Sequence, residues 1–589
     1  MAFDSFALTA ALNQLQQIGM DARIGKIHQP DKHTILLRFH GPMGAGRLLI
    51  SAHPEQGRLQ LTEIVRENPA QAPLFTMVLR KWLDGAKITR IEQTPGERVA
   101  IITLLTRNDI GDPITCKLIS EIMGKHSNII LVNECDVIID GIHRYNSNLS
   151  RYRQVLPGQP YIPPPPMHKL PLDQVDEENL GLLLFQQAEL TVRELLLQQV
   201  GGLSPLFAAS CCYQSNITPT TLCGELGLAE IRRLCQHLND LANAAAAANF
   251  HPTLLLKAGK PEDFAAFLPG EWENLPHRSI ADISQAIDTL YLSKEQERLF
   301  NLKQRELKKL FQHHITRLNK KISLQEEDLR QSEAADRYKQ AGDLLSAYQY
   351  DLRKGVSEAE LPIFDDPHQT IKIKLNPALT PQENISRYYH RYSKAKNARS
   401  TIEEHLEANR QELNYVLSLQ NALNCAETMA ELQDIVKESI SEGLLRPSAP
   451  VGKNNKTAKD KNHEAPLPPR AYLSADGFSI LVGRNNKQND KLTLKTANEN
   501  DIWLHAQKIP GSHVIIQSRG ETIPESTLLT AAAAAAWFSD GRNADKTPVD
   551  YTLAKEVKKP AQARPGMVIY FKQKTFYVKP EEPPIKKNL

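Results

Sequence analysis

Three basic stretches carry the chemistry that this sequence offers most openly, which is the pairing of cations with phosphate. Between Lys303 and Lys321, seven Lys/Arg (303, 305, 308, 309, 317, 320, 321) meet a single acid, Glu306. Between Arg387 and Arg399, five basic residues meet none, and Tyr388, Tyr389 and Tyr392 are threaded among Arg387, Arg391 and Lys394. From Lys555 to Leu589, nine basic residues, among them Lys555, Lys558 and Lys559, face three acids. A charge run on a helix is commonly only a solvated face. The tyrosines tilt the reading, because cations pair with phosphates while aromatic faces stack on unpaired bases. Three separate basic surfaces on one long chain point to a large polyanion, and ribosomal RNA is the candidate.

Signatures of catalysis are missing from the same sequence. Gly41-Pro-Met-Gly-Ala-Gly46-Arg47 is Gly-rich but lacks the Gly-Lys-Ser/Thr ending of a phosphate-binding loop, so it reads as a turn. There is no H-E-x-x-H, no G-x-S-x-G and no clustered His/Cys set, so no metal, no cofactor and no catalytic residue is expected. Seven cysteines, odd in number and without a C-x-x-C, fit free thiols in a reducing compartment. The start, Met-Ala-Phe-Asp-Ser-Phe, has neither a basic nor an apolar leader region, and no 18-residue apolar run occurs, so a cytoplasmic protein without a membrane partner is expected. The net charge of +3 decides nothing by itself.

The elements that must position these residues follow from length and periodicity. A chain of 589 residues with 41% apolar and 24% charged content should form several folded domains, and the pattern predicts a multidomain α+β protein. Residues 1–172 mix short strands (Thr34–Phe39, Arg47–Ser51, Val99–Thr106, Ile129–Val132) with helices at Ser5–Ile18 and Leu74–Leu83, and close at Tyr161-Ile-Pro-Pro-Pro-Pro166. Residues 173–278 read as helical. Leu180–Val200, then Gly201-Gly202-Leu203-Ser204-Pro205, then a helix from Leu206 suggests a helix-hairpin-helix domain whose exposed amides could hold a phosphate; a plain corner between two helices has the same spacing.

Residues 279–445 carry two heptad seams, Leu307, Phe311, Ile315, Leu318, Ile322, Gln325, Leu329 and Ile402, Leu406, Asn409, Leu413, Val416, Gln420, Leu423. They predict a long antiparallel coiled-coil hairpin with arms of about 60 residues, on the order of 90 Å. Gly355, Pro362, Pro367 and Ile371-Lys-Ile-Lys-Leu375 make a small β-containing tip. Residues 446–469 read as a disordered basic linker, and 470–589 as a final α+β domain with one Ala-rich helix at Leu528–Phe538.

Longer strings make the chain resemble a known family. Asp501-Ile-Trp-Leu-His-Ala506, Ile509-Pro-Gly-Ser-His-Val514, Gly483-Arg-Asn-Asn486 with Gln488-Asn-Asp490, Val549-Asp-Tyr-Thr552 and Lys558-Lys-Pro560 resemble the RNA-associated C-terminal domain of the NFACT family. Glu121-Ile-Met-Gly-Lys-His-Ser-Asn128, Ile138-Ile-Asp140 and Leu156-Pro-Gly158 before Tyr161 resemble its N-terminal domain. The resemblance runs in order over essentially the whole chain. It implies a ribosome-associated quality control factor that binds large ribosomal subunits obstructed by peptidyl-tRNA. Such a factor recruits alanyl-tRNA and promotes untemplated C-terminal alanine tailing, which marks the stalled chain for degradation; a small RNA-binding co-factor of the tailing reaction is a further possible partner. A fibronectin-binding surface adhesin is the competing expectation from another class, since bacterial members have carried that description.

The resemblance also assigns residues. Glu97-Arg98 stands where the family usually has Asp-Arg, and together with Glu121, Ile122, Met123, Gly124, Lys125 and His126 it implies a tRNA-binding set, with Arg98 and Lys125 on phosphate and His126 stacking. An ion pair leading into a strand is the plain alternative for Glu97-Arg98, and core packing for Ile122 and Met123. Ribosomal RNA falls to Arg387, Tyr388, Arg391 and Lys394 at the tip and to Lys555, Lys558 and Lys559. Trp503, His505 and His513 could form a stacking surface, although a Trp between Ile and Leu is more often core. The front of the chain is also similar in plan to formamidopyrimidine-type DNA glycosylases. Ala2-Phe3 in place of an N-terminal Pro next to a Glu, and the lack of a zinc-binding Cys quartet, argue against that chemistry.

Overall fold

A computed structural model of the chain describes residues 3–108, 110–146, 152–165, 168–332, 334–364, 366–446 and 467–583. The chain divides into two compact units, 1–295 and 296–589. All but the ends of the expected 446–469 linker lies outside the described residues.

The first unit is built on a nine-stranded antiparallel sheet. Its strands are β1 (Arg23–Asp31), β2 (Thr34–Gly41), β3 (Gly44–Ser51), β4 (Arg58–Leu61), β5 (Lys87–Gln93), β6 (Val99–Arg107), β7 (Pro113–Glu121), β8 (Asn128–Asn133) and β9 (Ile138–Gly141), in the order β4-β3-β2-β1-β5-β6-β7-β8-β9. Gly41–Gly44 is the β2–β3 turn, as the failed phosphate-loop pattern suggests. Helix α1 (Ser5–Gly19) starts where the Asp4 carboxylate accepts a hydrogen bond from the Ala7 amide at 2.9 Å, and its buried Leu8, Leu12 and Leu15 enter the core formed by the sheet and α2 (Leu74–Leu83).

Two expectations for the middle of this unit are corrected. The single helix over Leu180–Val200 is two, α3 (Glu177–Gln186) and α4 (Val192–Gln199), because Thr191 and Glu194 form a capping box that starts a new helix. Next come α5 (Pro205–Gln214) and α6 (Leu228–Ala246). The chain from 253 to 279 is strand rather than helix: β10 (Thr253–Lys257), β11 (Lys260–Ala265) and β12 (His277–Ser279) form a small antiparallel sheet. A short apolar run such as Leu254-Leu255-Leu256 does not distinguish the two, and here Ala258 and Gly259, both at positive φ, turn the chain into a hairpin. Phe264 and Phe267 from this hairpin join Phe6 and Phe207 in the core of the unit.

The second unit contains most of the long helix α7 (Ile283–Ser332), then α8 (Ala334–Ala347), β13 (Glu358–Ile363), β14 (Asp366–Lys374), α9 (Pro381–Asn424) and α10 (Met429–Ser441). The arms are shorter than expected: α7 has 50 residues and α9 has 44, so α7 reaches roughly 75 Å. The seam between them runs antiparallel. Leu307, Phe311, Ile315, Leu318 and Ile322 are buried on α7, as are Leu406, Val416 and Leu423 on α9. At its polar step the Asn409 amide donates to Gln325 at 2.7 Å, and Asn409 accepts from the Lys321 ammonium at 3.0 Å. Tyr415 and Leu419 lie off the heptad yet are fully buried, because a third helix, α10, covers them with Leu432 and Ile435. At the far end, β13 and β14 pair and pack with α8 and α9 around Leu344, Leu361 and Ile385.

A final sheet closes this unit. Strands β15 (Arg470–Leu473), β16 (Ser479–Val482), β17 (Ile502–Ala506), β18 (Val514–Ile516), β19 (Thr547–Leu553) and the edge strand Lys574–Val578 lie in the order β15-β16-β18-β17-β19-edge. The short α11 (Asn486–Lys491) follows β16. Helix α12 (Glu525–Trp537) covers one face through Ala531, Ala532, Ala535 and Ala536, whose small side chains let it lie close to the strands. Before the edge strand, β20 (Val557–Lys558) and β21 (Ile569–Tyr570) form a separate ribbon, so the edge strand is β22. Among the described residues no helix is long and apolar enough to cross a membrane.

Candidate nucleic-acid interface

In the first unit, a cleft of about 890 Å³ gathers residues from segments far apart in the chain. Its floor begins at the β5–β6 turn. The Thr94 amide donates to Val99 and the Glu97 amide to Thr94, both at 3.0 Å, and Gly96 supplies the left-handed residue at φ +68°. A Cβ on Gly96 would stand 3.3 Å from the Gly202 amide nitrogen, so the turn rests on the Gly201-Gly202 link between α4 and α5. That seat brings the N-terminal end of α5, where Ser204 accepts from the Phe207 amide at 3.4 Å, into the same cleft.

Arg98 is half-buried there and donates to the Phe3 carbonyl at 3.4 Å. Burial lowers its guanidinium pKa; Asp4, ahead of Glu97, is the acid that supports its charge. Burial likewise raises the carboxyl pKa of Glu97, opposed first by Lys169 and then by Arg98. Asp4 is also held up by burial, against its hydrogen bonds from Ala7 and Ser204. The expected two-residue Glu97-Arg98 pair is thus part of a wider set that includes Asp4, Lys169 and Ser204.

The second string divides. After β7, residues Gly124–His126 form a 3-10 turn, with Gly124 at φ +60° and the Ser127 hydroxyl accepting from the Met123 amide at 2.9 Å. Lys125 and His126 are exposed on this turn and, with the half-buried Met123, line the cleft. Ile122 points the other way into the core. Glu121 is fully buried: Arg153 grips its carboxylate with both terminal guanidinium nitrogens, Nη1 at 2.6 Å, and the Tyr161 hydroxyl donates to it at 2.9 Å. The side chains of Glu121 and Ile122 are therefore withdrawn from the cleft, which corrects their expected placement. Glu121 instead anchors the Pro-rich segment that forms part of the cleft wall.

At the coiled-coil tip, Arg387, Arg391 and Lys394 are exposed. Tyr388 is not available for stacking on a base: it packs into the tip core, and its hydroxyl donates to the Lys374 carbonyl at 2.7 Å. The neighbouring Arg391 lies 5.8 Å from the ring centroids of both Tyr338 and Tyr388.

In the last sheet, most of the quoted strings are structural. Trp503 is fully buried between His505 (centroids 5.8 Å, nearly parallel), His513 and Tyr570, and burial holds the His513 imidazole well below its ordinary pKa. Asp501 accepts from the Ser518 amide at 2.8 Å, while Asp550 accepts from Tyr570 and Thr575 at 2.8 and 2.6 Å. Gly483-Arg-Asn-Asn486 forms the joint with the base of the long helices. Arg484 and Arg470 both reach the buried Glu431 of α10, Arg470 at 2.7 Å, and Asn486 donates to Glu438 at 3.0 Å. Burial works against the Glu431 carboxylate, yet Arg470, the Glu427 amide and Arg484 leave its pKa below the usual range. Of the three lysines expected to meet RNA, Lys555 and Lys558 are exposed, whereas Lys559 is ion-paired with Asp490 inside the joint.

Sequence reasoning missed Asp4, Lys169, Arg153 and Ser204 in the cleft. Two had local signals, since Asp4 before Ala7 and Ser204 before Pro205 are helix-start patterns. Arg153 meets Glu121 across 32 residues of chain with nothing in either segment to announce it.

Known proteins match this sequence along its length. A family model described as NFACT N-terminal and middle domains matches residues 4–460, and one described as the NFACT protein RNA binding domain matches 469–571. The chain is 35% identical to the Rqc2 homolog RqcH of Bacillus subtilis over 99% of this chain and 98% of that protein. It is 34% identical to the Rqc2 homolog RqcH of Streptococcus pneumoniae serotype 2 over the same shares. Among solved structures, the N-terminal part of a fibronectin/fibrinogen-binding protein from Streptococcus suis is 32% identical over 49% of this chain and 99% of that one, with a TM-score of 0.42. With both family models matched in order and relatives aligned from end to end, the chain belongs to the NFACT family.

Proposed function

We propose that this chain is a ribosome quality control factor. It binds large ribosomal subunits obstructed by peptidyl-tRNA in the cytoplasm, recruits alanyl-tRNA and promotes untemplated alanine tailing of the stalled chain. The observation that carries this reading is the end-to-end likeness to proteins named as Rqc2 homologs, joined to an open cleft that holds Arg98, Lys125 and His126 together. In the cleft, Arg98 and Lys125 meet tRNA phosphates, His126 stacks on an exposed base, and α4–Gly201-Gly202–α5 acts as a helix-hairpin-helix whose α5 amides face a phosphate. Glu97 orients Arg98 and Lys169. Arg387, Arg391 and Lys394 grip large-subunit RNA from the end of the long helices.

Under this reading the protein forms no bond itself. An aminoacyl ester already carries the driving force for peptide transfer, and the ribosomal centre orients both substrates, so what remains to be supplied is a local concentration of one charged tRNA. The test is a purified system. Alanine addition is expected only when the protein, large subunits carrying peptidyl-tRNA and charged alanyl-tRNA are all present. Tails made without ribosomal subunits would overturn the reading in favour of a transferase.

A further inference from the structure

The C-terminal basic stretch is not uniformly exposed, and the way it divides defines a surface. In the β20–β21 ribbon, Val557 pairs with Tyr570 and Lys558 with Ile569. Val557 and Tyr570 point inward and pack with Trp503. By strand alternation the flanking side chains point outward, and Ile569 and Phe571 are 47% and 49% exposed beside Lys558. The backbone of Phe571 is fixed, since its amide donates to the Glu556 carbonyl at 3.3 Å and its carbonyl accepts from the Thr552 hydroxyl at 2.8 Å. On the adjoining edge strand, Tyr577 is 70% exposed. It lies two residues from Thr575, which shares the Asp550 carboxylate with Tyr570, so Tyr577 stands on the sheet face that the ribbon covers.

The ribbon surface is basic. Lys555 and Lys558 are exposed, and the one acid on the ribbon, Glu556, is taken by Lys572 at 2.9 Å; Lys574 opens β22 on the sheet face opposite to Tyr577. Exposed aromatic rings on a basic face match a strand of nucleic acid whose bases are unstacked. A duplex keeps its base faces covered and would use the lysines alone.

We propose that the outer face of the β20–β21 ribbon and the β22 edge is a docking site for a single-stranded RNA segment, with Phe571 and Tyr577 as the stacking platform and Lys558 on the backbone. The inference rests on the RNA-binding reading above and narrows it to one face and one kind of RNA. The experiment uses the full chain and two labelled probes, an unstructured oligouridylate and a blunt RNA duplex, with binding read by fluorescence anisotropy. Wild-type protein is expected to prefer the oligouridylate, Phe571→Ala and Tyr577→Ala each to weaken it roughly tenfold, and Phe571→Trp to keep it; the exposure of both rings predicts unchanged thermal midpoints. The proposal is overturned if Phe571→Ala binds oligouridylate like wild type, if duplex is bound equally well or lost equally, or if the aromatic variants lose only a ribosomal protein contact. Should the wild-type chain bind no oligouridylate while still supporting tailing in the purified system, this inference fails and the proposed function stands.

Discussion

The cleft of the first unit and the last sheet of the second both hold strings of residues rare enough to mark a family, yet they use them in opposite ways. Around the cleft, the Glu97-Arg98 turn and the Lys125-His126 turn place charged side chains along an open wall. In the last sheet, Arg484, Asn486, Asp490, Asp501 and Asp550 are turned inward, each bonded to a partner far along the chain. A memorable string can therefore report either a contact with another molecule or a joint within this one. Side-chain burial decides between them.

The comparison breaks first where a buried charge loses its partner. Glu431→Ala would strand Arg470, which is 5% exposed, together with Arg484; a loss of about 3–5 kcal/mol in the stability of the second unit is expected. Denaturant unfolding checks it, and a loss under about 1 kcal/mol would mean that the joint is not held electrostatically. Glu121→Ala should cost about 3 kcal/mol by removing the buried carboxylate that Arg153 and Tyr161 share, with Glu121→Gln recovering part of it. Weaker tRNA binding at wild-type stability in Glu121→Ala would move that residue to the contact surface and erase the contrast.

A smaller effect sharpens the picture of the aromatic core. The His513 pKa is held well below its ordinary 6.5, so the folded form keeps a neutral ring while the unfolded chain takes up a proton below that value. The associated stability is fully present above pH 6.5 and declines as pH falls toward the folded pKa, at up to about 1.4 kcal/mol per pH unit from this residue. Thermal midpoints between pH 7 and pH 5 should fall less steeply in His513→Gln than in the parent.

Much of the frame was legible because it follows local periodicity. Strands at Thr34, Arg47, Val99 and Ile129, the Leu74–Leu83 helix and the buried seam from Leu307 to Ile322 all answer to spacing within a few residues. Misses came where distant chain sets the outcome. Tyr415 and Leu419 are covered by α10, and the exposed-looking Lys559 meets Asp490 from 69 residues away; the hairpin at 253–265 is a different case, a short apolar run whose local Ala258-Gly259 turn was passed over. Tyr388 read as a stacking residue because it stood among arginines, while its hydroxyl was matched to Lys374 in the β hairpin of the tip.

Engagement of tRNA in the proposed cleft around Arg98 is tested most directly by titrating alanyl-tRNA into wild-type protein and Arg98→Ala at two salt concentrations, with thermal midpoints taken on the same samples. The expected outcome is a variant that stays folded, loses about 1–3 kcal/mol of binding and shows a shallower salt dependence. Unchanged affinity and salt slope in a fully folded Arg98→Ala would contradict it.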